Sequence, residues 1–334
     1  MLFPYNGKII LIIRFEIFLH LPSNMNKRKN FLHFILLLLL LFALMAAAAF
    51  IGTAQSTEFV IVHLRIPRII MSVLAGASLT LCGAIFQSIF RNPVCDPYIL
   101  GISSGASIGA ALAFILGWDF YMFGVTSFAL VTAFLTLLLM LGITRVSKIK
   151  STYVMLLAGI SLNFLMASIL TLLMVMNHQE MQKIIFWTMG SFATVSYHDI
   201  LFFTPVFLVC IFFCFFLSKD LNIMQLGDTQ AQSLGVNTQK VIYITLLLSS
   251  ILIAATVSIC GVIGFIGLII PHLARIIWGN NTKHLFAFSM LLGAIFMLLA
   301  DTLARVLVSN AELPVGSITA LVGAPYFIYM LVRK

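Results

Sequence analysis

A chain of 334 residues in which 62% are apolar and only 9% charged cannot be an ordinary soluble globule, which is about half apolar and about a quarter charged. Disorder is excluded as well, because the charge is too sparse and the apolar content too high. The formal charge of +9 would suggest nucleic acid in a soluble protein; here it reads as Lys and Arg gathered in the cytoplasmic loops of a polytopic helical membrane protein.

Residues 1–24 carry Lys8, Arg14 and Glu16 between short apolar stretches and break at Leu21-Pro22-Ser23-Asn24. They read as an extension outside the native chain, with Met25 as the true start. The first span runs from Phe31 to about Ile51, behind Lys27-Arg28-Lys29, which place its N-terminal side in the cytoplasm. A short outer loop follows, and the second span covers about Ile66 to Phe90. The run Arg91-Asn92-Pro93-Val94-Cys95-Asp96-Pro97 stops it, since two prolines and the residues before them do not continue a helix. Spans three to six are expected at about Tyr98–Gly117, Tyr121–Ile143, Thr152–Met176 and Ile200–Leu217, with Asn177–Asp199 as a longer outer segment. Residues 218–240 form a polar cytoplasmic loop. The seventh span covers Val241–Cys260; Gly261, Gly264 and Gly267 then permit a bend before a short eighth span ending near Pro271-His272-Leu273-Ala274-Arg275. Leu285–Val308 and Val315–Val332 complete ten spans, with both termini in the cytoplasm. At about 20 apolar residues per span plus short loops, roughly ten or eleven spans is also what the length allows.

This topology puts most Lys and Arg inside. Arg65, Arg68, Lys183 and Arg305 are the outer exceptions. Asp301 is the clearest intramembrane acid, and Arg305 lies one turn later, so the two are expected to neutralise each other locally. Gly101, Gly105 and Gly109 are spaced for one helical face that lets a neighbour approach closely. The five cysteines, Cys82, Cys95, Cys210, Cys214 and Cys260, read as small buried hydrophobes, and His272 as a structural residue at a helix end. No Gly-x-x-x-x-Gly-Lys-Ser/Thr loop occurs, so this chain carries no P-loop for ATP; no nucleophile elbow or carboxylate pair suggests an enzyme. An ion-coupled secondary transporter should carry more intramembrane acids than this.

An ordered series of motifs from about residue 60 onward resembles the permease subunits of the iron-siderophore, haem and vitamin B12 class of ABC importers. The series comprises Arg65-Ile66-Pro67-Arg68, Gly83-Ala84-Ile85-Phe86-Gln87, Arg91-Asn92-Pro93 and Leu100-Gly101-Ile102-Ser103-Ser104-Gly105-Ala106. It continues with Leu226-Gly227-Asp228, Leu234-Gly235, Gly264-Phe265-Ile266-Gly267-Leu268-Ile269-Ile270-Pro271-His272-Leu273-Ala274-Arg275, Asp301, Arg305, Glu312-Leu313-Pro314-Val315-Gly316 and Gly323-Ala324-Pro325. Val94-Cys95 departs from the Leu-Ala frequent in the family, and the outer loop after the first span is short for it.

The resemblance implies an all-α, type II ABC importer permease in the bacterial cytoplasmic membrane, residues 25–334 forming one transmembrane domain with 218–240 as its coupling loop. It implies a second permease chain, two ATP-binding cassette subunits holding ATP and magnesium, and an extracytoplasmic substrate-binding protein; no cofactor or metal is expected in this chain. Arg65, Arg68 and Arg305 would dock acidic residues of the binding protein. Leu226, Gly227, Asp228, Ala231, Leu234 and Gly235 would contact the ATPase. Ser151 and Thr152 would stand at the cytoplasmic gate, and the fifth and tenth spans would line the path. A ferric siderophore is the expected cargo, with haem and corrinoids as the alternatives.

Overall fold

Apolar runs separated by Pro, Gly and polar breaks fold here into helices joined by short turns. The computed structural model describes residues 23–52, 57–121, 123–147, 152–308 and 312–332, and among them there is no strand. The chain divides into two units, Met1–Leu40 and Leu41–Lys334. The expectation for residues 1–24 falls almost wholly outside the described residues, as does Ser151.

The ten expected spans correspond to ten apolar helices: α1 Ser23–Phe50, α2 Ile66–Ile89, α3 Ile102–Ile115, α4 Gly124–Val146, α5 Thr152–Met176, α7 Tyr197–Phe216, α10 Thr238–Cys260, α11 Ile266–Trp278, α12 Thr282–Val306 and α13 Val315–Val332. Three short helices, α6 Met181–Thr188, α8 Ser218–Met224 and α9 Asp228–Ser233, fill the segments expected as the outer stretch 177–199 and the cytoplasmic loop 218–240. Seven of the ten are long and apolar enough to cross a membrane alone; α3, α11 and α13 are shorter.

The second span begins earlier than expected. A π-helical stretch, Val60–Arg65, runs into α2 without a break. Pro67 lies in the first turn of α2 and has no N–H for the preceding turn, and a widened turn just upstream accommodates that loss. The helix is apolar and small-residue-rich all round, the pattern of a buried helix, and α2 is indeed the central rod. It packs most extensively against α12 and also meets α10 and α11.

Small residues make the closest of these contacts. A Cβ on Gly83 would overlap the carbonyl of Gly267 in α11, and one on Gly76 would overlap the carbonyl of Gly293 in α12. Pro271 lies inside α11 instead of near its end, because the helix continues to Trp278. Proline cannot donate to the carbonyl four residues back and crowds it; that carbonyl is Gly267, the one facing Gly83. One turn along α2, Gln87 Nε2 donates to the Leu268 carbonyl at 2.8 Å. Two motifs far apart in sequence thus form one joint.

Gly105 and Gly109 pack against α4, where a Cβ would overlap Thr136 and the Phe128 carbonyl respectively. Gly101 does not share that face. It adopts φ +83° and closes a 3-10 turn, Pro97–Leu100, against α5. Its turn is pinned to α5 by Asn163, whose Nδ2 donates to the Tyr98 carbonyl at 3.0 Å while its Oδ1 accepts from Ser104. The break after α10 falls at the expected glycines, but Phe265, with φ +68°, takes the left-handed conformation at the start of α11, and its side chain fills the space beside Gly323 of α13. All five cysteines are buried and free. Burial pushes the Cys95 thiol up to about 12, which keeps it protonated and unreactive.

Candidate functional site

Two polar assemblies occupy opposite ends of α2 and α12. The first gathers the outer cations. Arg65 Nη1 donates to the Ala49 carbonyl at 2.9 Å, and Arg305 Nη2 to the Ala48 carbonyl at 3.2 Å. Both arginines therefore satisfy carbonyls in the last turn of α1, where unpaired acceptors and the negative end of the helix dipole favour cations. Arg68 reaches across to α12: its Nε donates to both Asp301 oxygens, at 2.9 and 3.1 Å, and its Nη1 lies 2.6 Å from Glu312 Oε2. Arg305 Nε is only 3.5 Å from Asp301 Oδ2. The expected local pair with Arg305 is therefore present, but the closer partner of Asp301 is Arg68 of another helix, which the local spacing did not supply.

Asp301 is fully buried, and Arg65, Arg68 and Arg305 are only 5–6% exposed. The three arginines are therefore not displayed on an open rim. They line a cleft of about 130 Å³ with Gly52, Val60, Leu64, Ala193 and Glu312. Three guanidiniums face two carboxylates there, leaving one positive charge in surplus. Glu312, missed as a member of this cluster, stood in the Glu312-Leu313-Pro314-Val315-Gly316 motif, but nothing local in the sequence pairs it with Arg68. The fourth outer cation, Lys183, is held at the surface by Glu180 at 2.9 Å and Asp119 at 3.0 Å, and the two bonds raise its pKa.

The second assembly surrounds the polar loop at the other end. Leu226-Gly227 follows α8 and Leu234-Gly235 follows α9, and both glycines have positive φ, +127° and +85°. Short helices ended by glycine are what the two Leu-Gly pairs predict. Arg91, just beyond the end of α2, donates from Nη2 to the Met224 carbonyl at 2.7 Å and to Asp228 at 2.5 Å. From the start of α12, Thr282 donates through its backbone N–H to Asn222 Oδ1 at 3.2 Å, and Gln225 Nε2 donates to the Asn280 carbonyl and Thr282 Oγ1. The loop is therefore braced on two helices. Leu226 and Leu234 project from it, 63% and 62% exposed. Ala231 does the opposite: it is fully buried in its own chain, so it does not offer the surface expected of it. Open space surrounds Gly235. Thr152, at the start of α5, lines a cleft of about 230 Å³ that also contains Asp228, Gln232 and Thr238; the expected gate position and the loop thus share one cavity.

The helices expected to line a path are sparsely covered by the rest of the chain. Tyr153, Leu157, Phe164, Leu172 and Met176 of α5 are exposed, as are Leu321, Ile328 and Tyr329 of α13. His272 lies within α11, and the described residues hold no group of three or more His, Cys, Asp or Glu that could bind a metal ion.

A family model described as the FecCD transport family matches residues 31–333. The chain is 39% identical over 279 residues to the molybdate import system permease protein MolB of Haemophilus influenzae, covering 82% of each chain. It is 37% identical over 284 residues to the Fe(3+)-citrate import system permease protein YfmE of Bacillus subtilis, covering 84% of each. Among solved structures, a metal-chelate type ABC transporter in an inward-facing conformation superimposes with a TM-score of 0.83 at 36% identity, over 90% of this chain and 99% of the other.

Proposed function

The chain belongs to the FecCD transport family, and from that premise we propose that it passes a ferric siderophore through the membrane, driven by ATP that a separate subunit hydrolyses. It is a multi-pass protein of the cytoplasmic membrane and a transport permease, not a catalytic subunit. The observation that carries the proposal is the placement of two polar assemblies at opposite ends of the same buried rods. Arg68 near the start of α2 belongs to the outer cluster and Arg91 just past its end braces the cytoplasmic loop; Arg305 and Thr282 do the same for α12. Close-packed helices move as units, so a partner acting at one end has a stiff route to the other.

In this reading Leu226, Gly227, Asp228, Leu234 and Gly235 meet an ATPase subunit that holds ATP and magnesium. The arginine cleft receives a carboxylate of a binding protein, and two permease chains enclose a path between their α5 and α13 helices. The few charges on those helices suit release, because a wall that binds tightly would trap the cargo. The relative named for iron citrate supports a chelated-iron cargo, whereas relatives named for hemin, cobalamin and molybdate mark the alternatives.

Proteoliposomes containing the permease, its ATPase and its binding protein should take up radiolabelled ferric siderophore only with ATP, and vanadate should stop it. Haem, cobalamin or molybdate uptake in its place would reassign the cargo. Uptake that collapses with a protonophore while ATP is held constant would overturn ATP drive.

The cytoplasmic loop gives a separate expectation. The Arg91–Asp228 pair is largely exposed, and such pairs contribute roughly 0–1 kcal/mol to stability. Asp228→Arg should therefore leave the melting temperature in detergent nearly unchanged, yet lower ATPase co-purification and transport severalfold by misplacing the braced loop. Gly235→Leu should act similarly through its backbone, since a side chain at φ +85° is strained although the space is open. Normal ATPase binding and uptake in both variants would remove the loop from the mechanism.

A further inference from the structure

The two carboxylates of the outer cluster are held very differently. Asp301 is fully buried, and both its oxygens accept from Arg68 Nε. Glu312 is half exposed, and its contact with Arg68 is a single 2.6 Å bond to Nη1. It stands on the non-helical stretch that leads into α13. From Leu313 onward that stretch is bonded elsewhere: Leu313 N–H to the Ala304 carbonyl, Val315 N–H to the Gly190 carbonyl and Gly316 N–H to the Met189 carbonyl. The Glu312 side chain adds a bond from this stretch to α2, beside the backbone bonds that hold it to α12 and to residues 189–190.

The same cleft has donors to spare. Nε and Nη1 of Arg305 are buried and make no hydrogen bond, the nearest acid being Asp301 Oδ2 at 3.5 Å from Nε. A buried guanidinium with unused N–H groups is costly unless an acceptor arrives. Surplus positive charge, unused donors and a space of about 130 Å³ match one carboxylate side chain delivered from outside.

We propose that Glu312 is a resident stand-in for that carboxylate: it occupies Arg68 while the permease is undocked, and an acidic side chain of the binding protein displaces it when the two proteins meet. Displacement exchanges a bond within the chain for one between proteins, and it removes the charged bond between the entry of α13 and α2. Docking is thereby sensed at the head of a helix that faces the proposed path. The inference rests on the docking role given to the arginine cleft above, and adds that the cleft is occupied in its resting state by the permease itself.

The test uses the assembled transporter in nanodiscs and the binding protein that supports siderophore uptake in the reconstituted system. Glu312→Gln removes the competing charge and should tighten association about tenfold, the scale of one close charge pair across an interface. Glu312→Asp keeps the charge but shortens its reach, and should tighten association less. In Glu312→Gln ATP hydrolysis without binding protein should rise toward the docked rate, because the charged bond from the entry of α13 to Arg68 is already lost, and in Glu312→Asp it should rise less. Arg305→Gln serves as the control for docking and should weaken association. Unchanged or weaker association of Glu312→Gln, with Arg305→Gln still impaired, would overturn the stand-in and leave docking in place. Wild-type association of Arg305→Gln would overturn the docking role, and the stand-in with it.

Discussion

Asp301→Asn is expected to cost about 3–5 kcal/mol of folding stability, the usual loss when one partner of a buried ion pair is removed. The carboxylate is fully buried and accepts from Arg68 on both oxygens, with Arg305 close by. Neutralising it leaves two guanidiniums out of water with only the half-exposed Glu312 to balance them. Tryptophan-fluorescence melting in detergent should fall by many degrees, with less folded protein recovered from membranes. The double variant Arg68→Leu with Asp301→Leu removes both charges together and should recover at least half of the loss of Asp301→Leu alone, since apolar replacement of a whole buried pair is often close to neutral. Strictly additive losses would show that the pair does not act as a unit.

Gly83→Ala should be nearly as damaging, although it adds a single methyl group. That methyl would overlap the Gly267 carbonyl in α11, a backbone atom that no rotamer change can move. Pro271 deprives the same carbonyl of its helical donor, so it cannot retreat into the helix without meeting the proline ring. Overpacking typically costs about 1–3 kcal/mol, and a clash with backbone belongs at or above the top of that range. The neighbouring Gln87–Leu268 bond would stretch with it. Gly142→Ala in α4, where a Cβ meets nothing within 4 Å, should by contrast leave the melting temperature unchanged. Equal melting of the Gly83 and Gly142 variants would refute the joint.

These cases divide what local sequence determines from what it cannot. The ten helices and the breaks at Arg91–Pro97 and Gly261–Gly264 were legible because each depends on a contiguous property: enough apolar residues to exclude water, or a Pro or Gly that cannot sustain a helix. Cation bias gives an expected orientation for the same reason. The glycine-ended helices of the cytoplasmic loop were legible as local backbone chemistry, and the ordered motifs made the family recognisable.

Partner choice was not legible. Asp301 has Arg305 one turn away in its own helix, and the local rule pairs them; the fold adds the closer partner Arg68 from 233 residues earlier in the chain, because α2 and α12 pack together along their length. Ala231 stands among polar residues yet is buried, since only packing determines which side of a six-residue helix faces inward. Gly83 and Gln87 meet Gly267 and Leu268 for the same reason. Hydrophobicity and backbone preference are written residue by residue, so the sequence by itself determined the spans and their breaks. An ion pair or a glycine contact depends on which helices become neighbours, and so the tertiary structure alone decided that Arg68 holds Asp301 and Glu312 and that Arg91 braces the cytoplasmic loop.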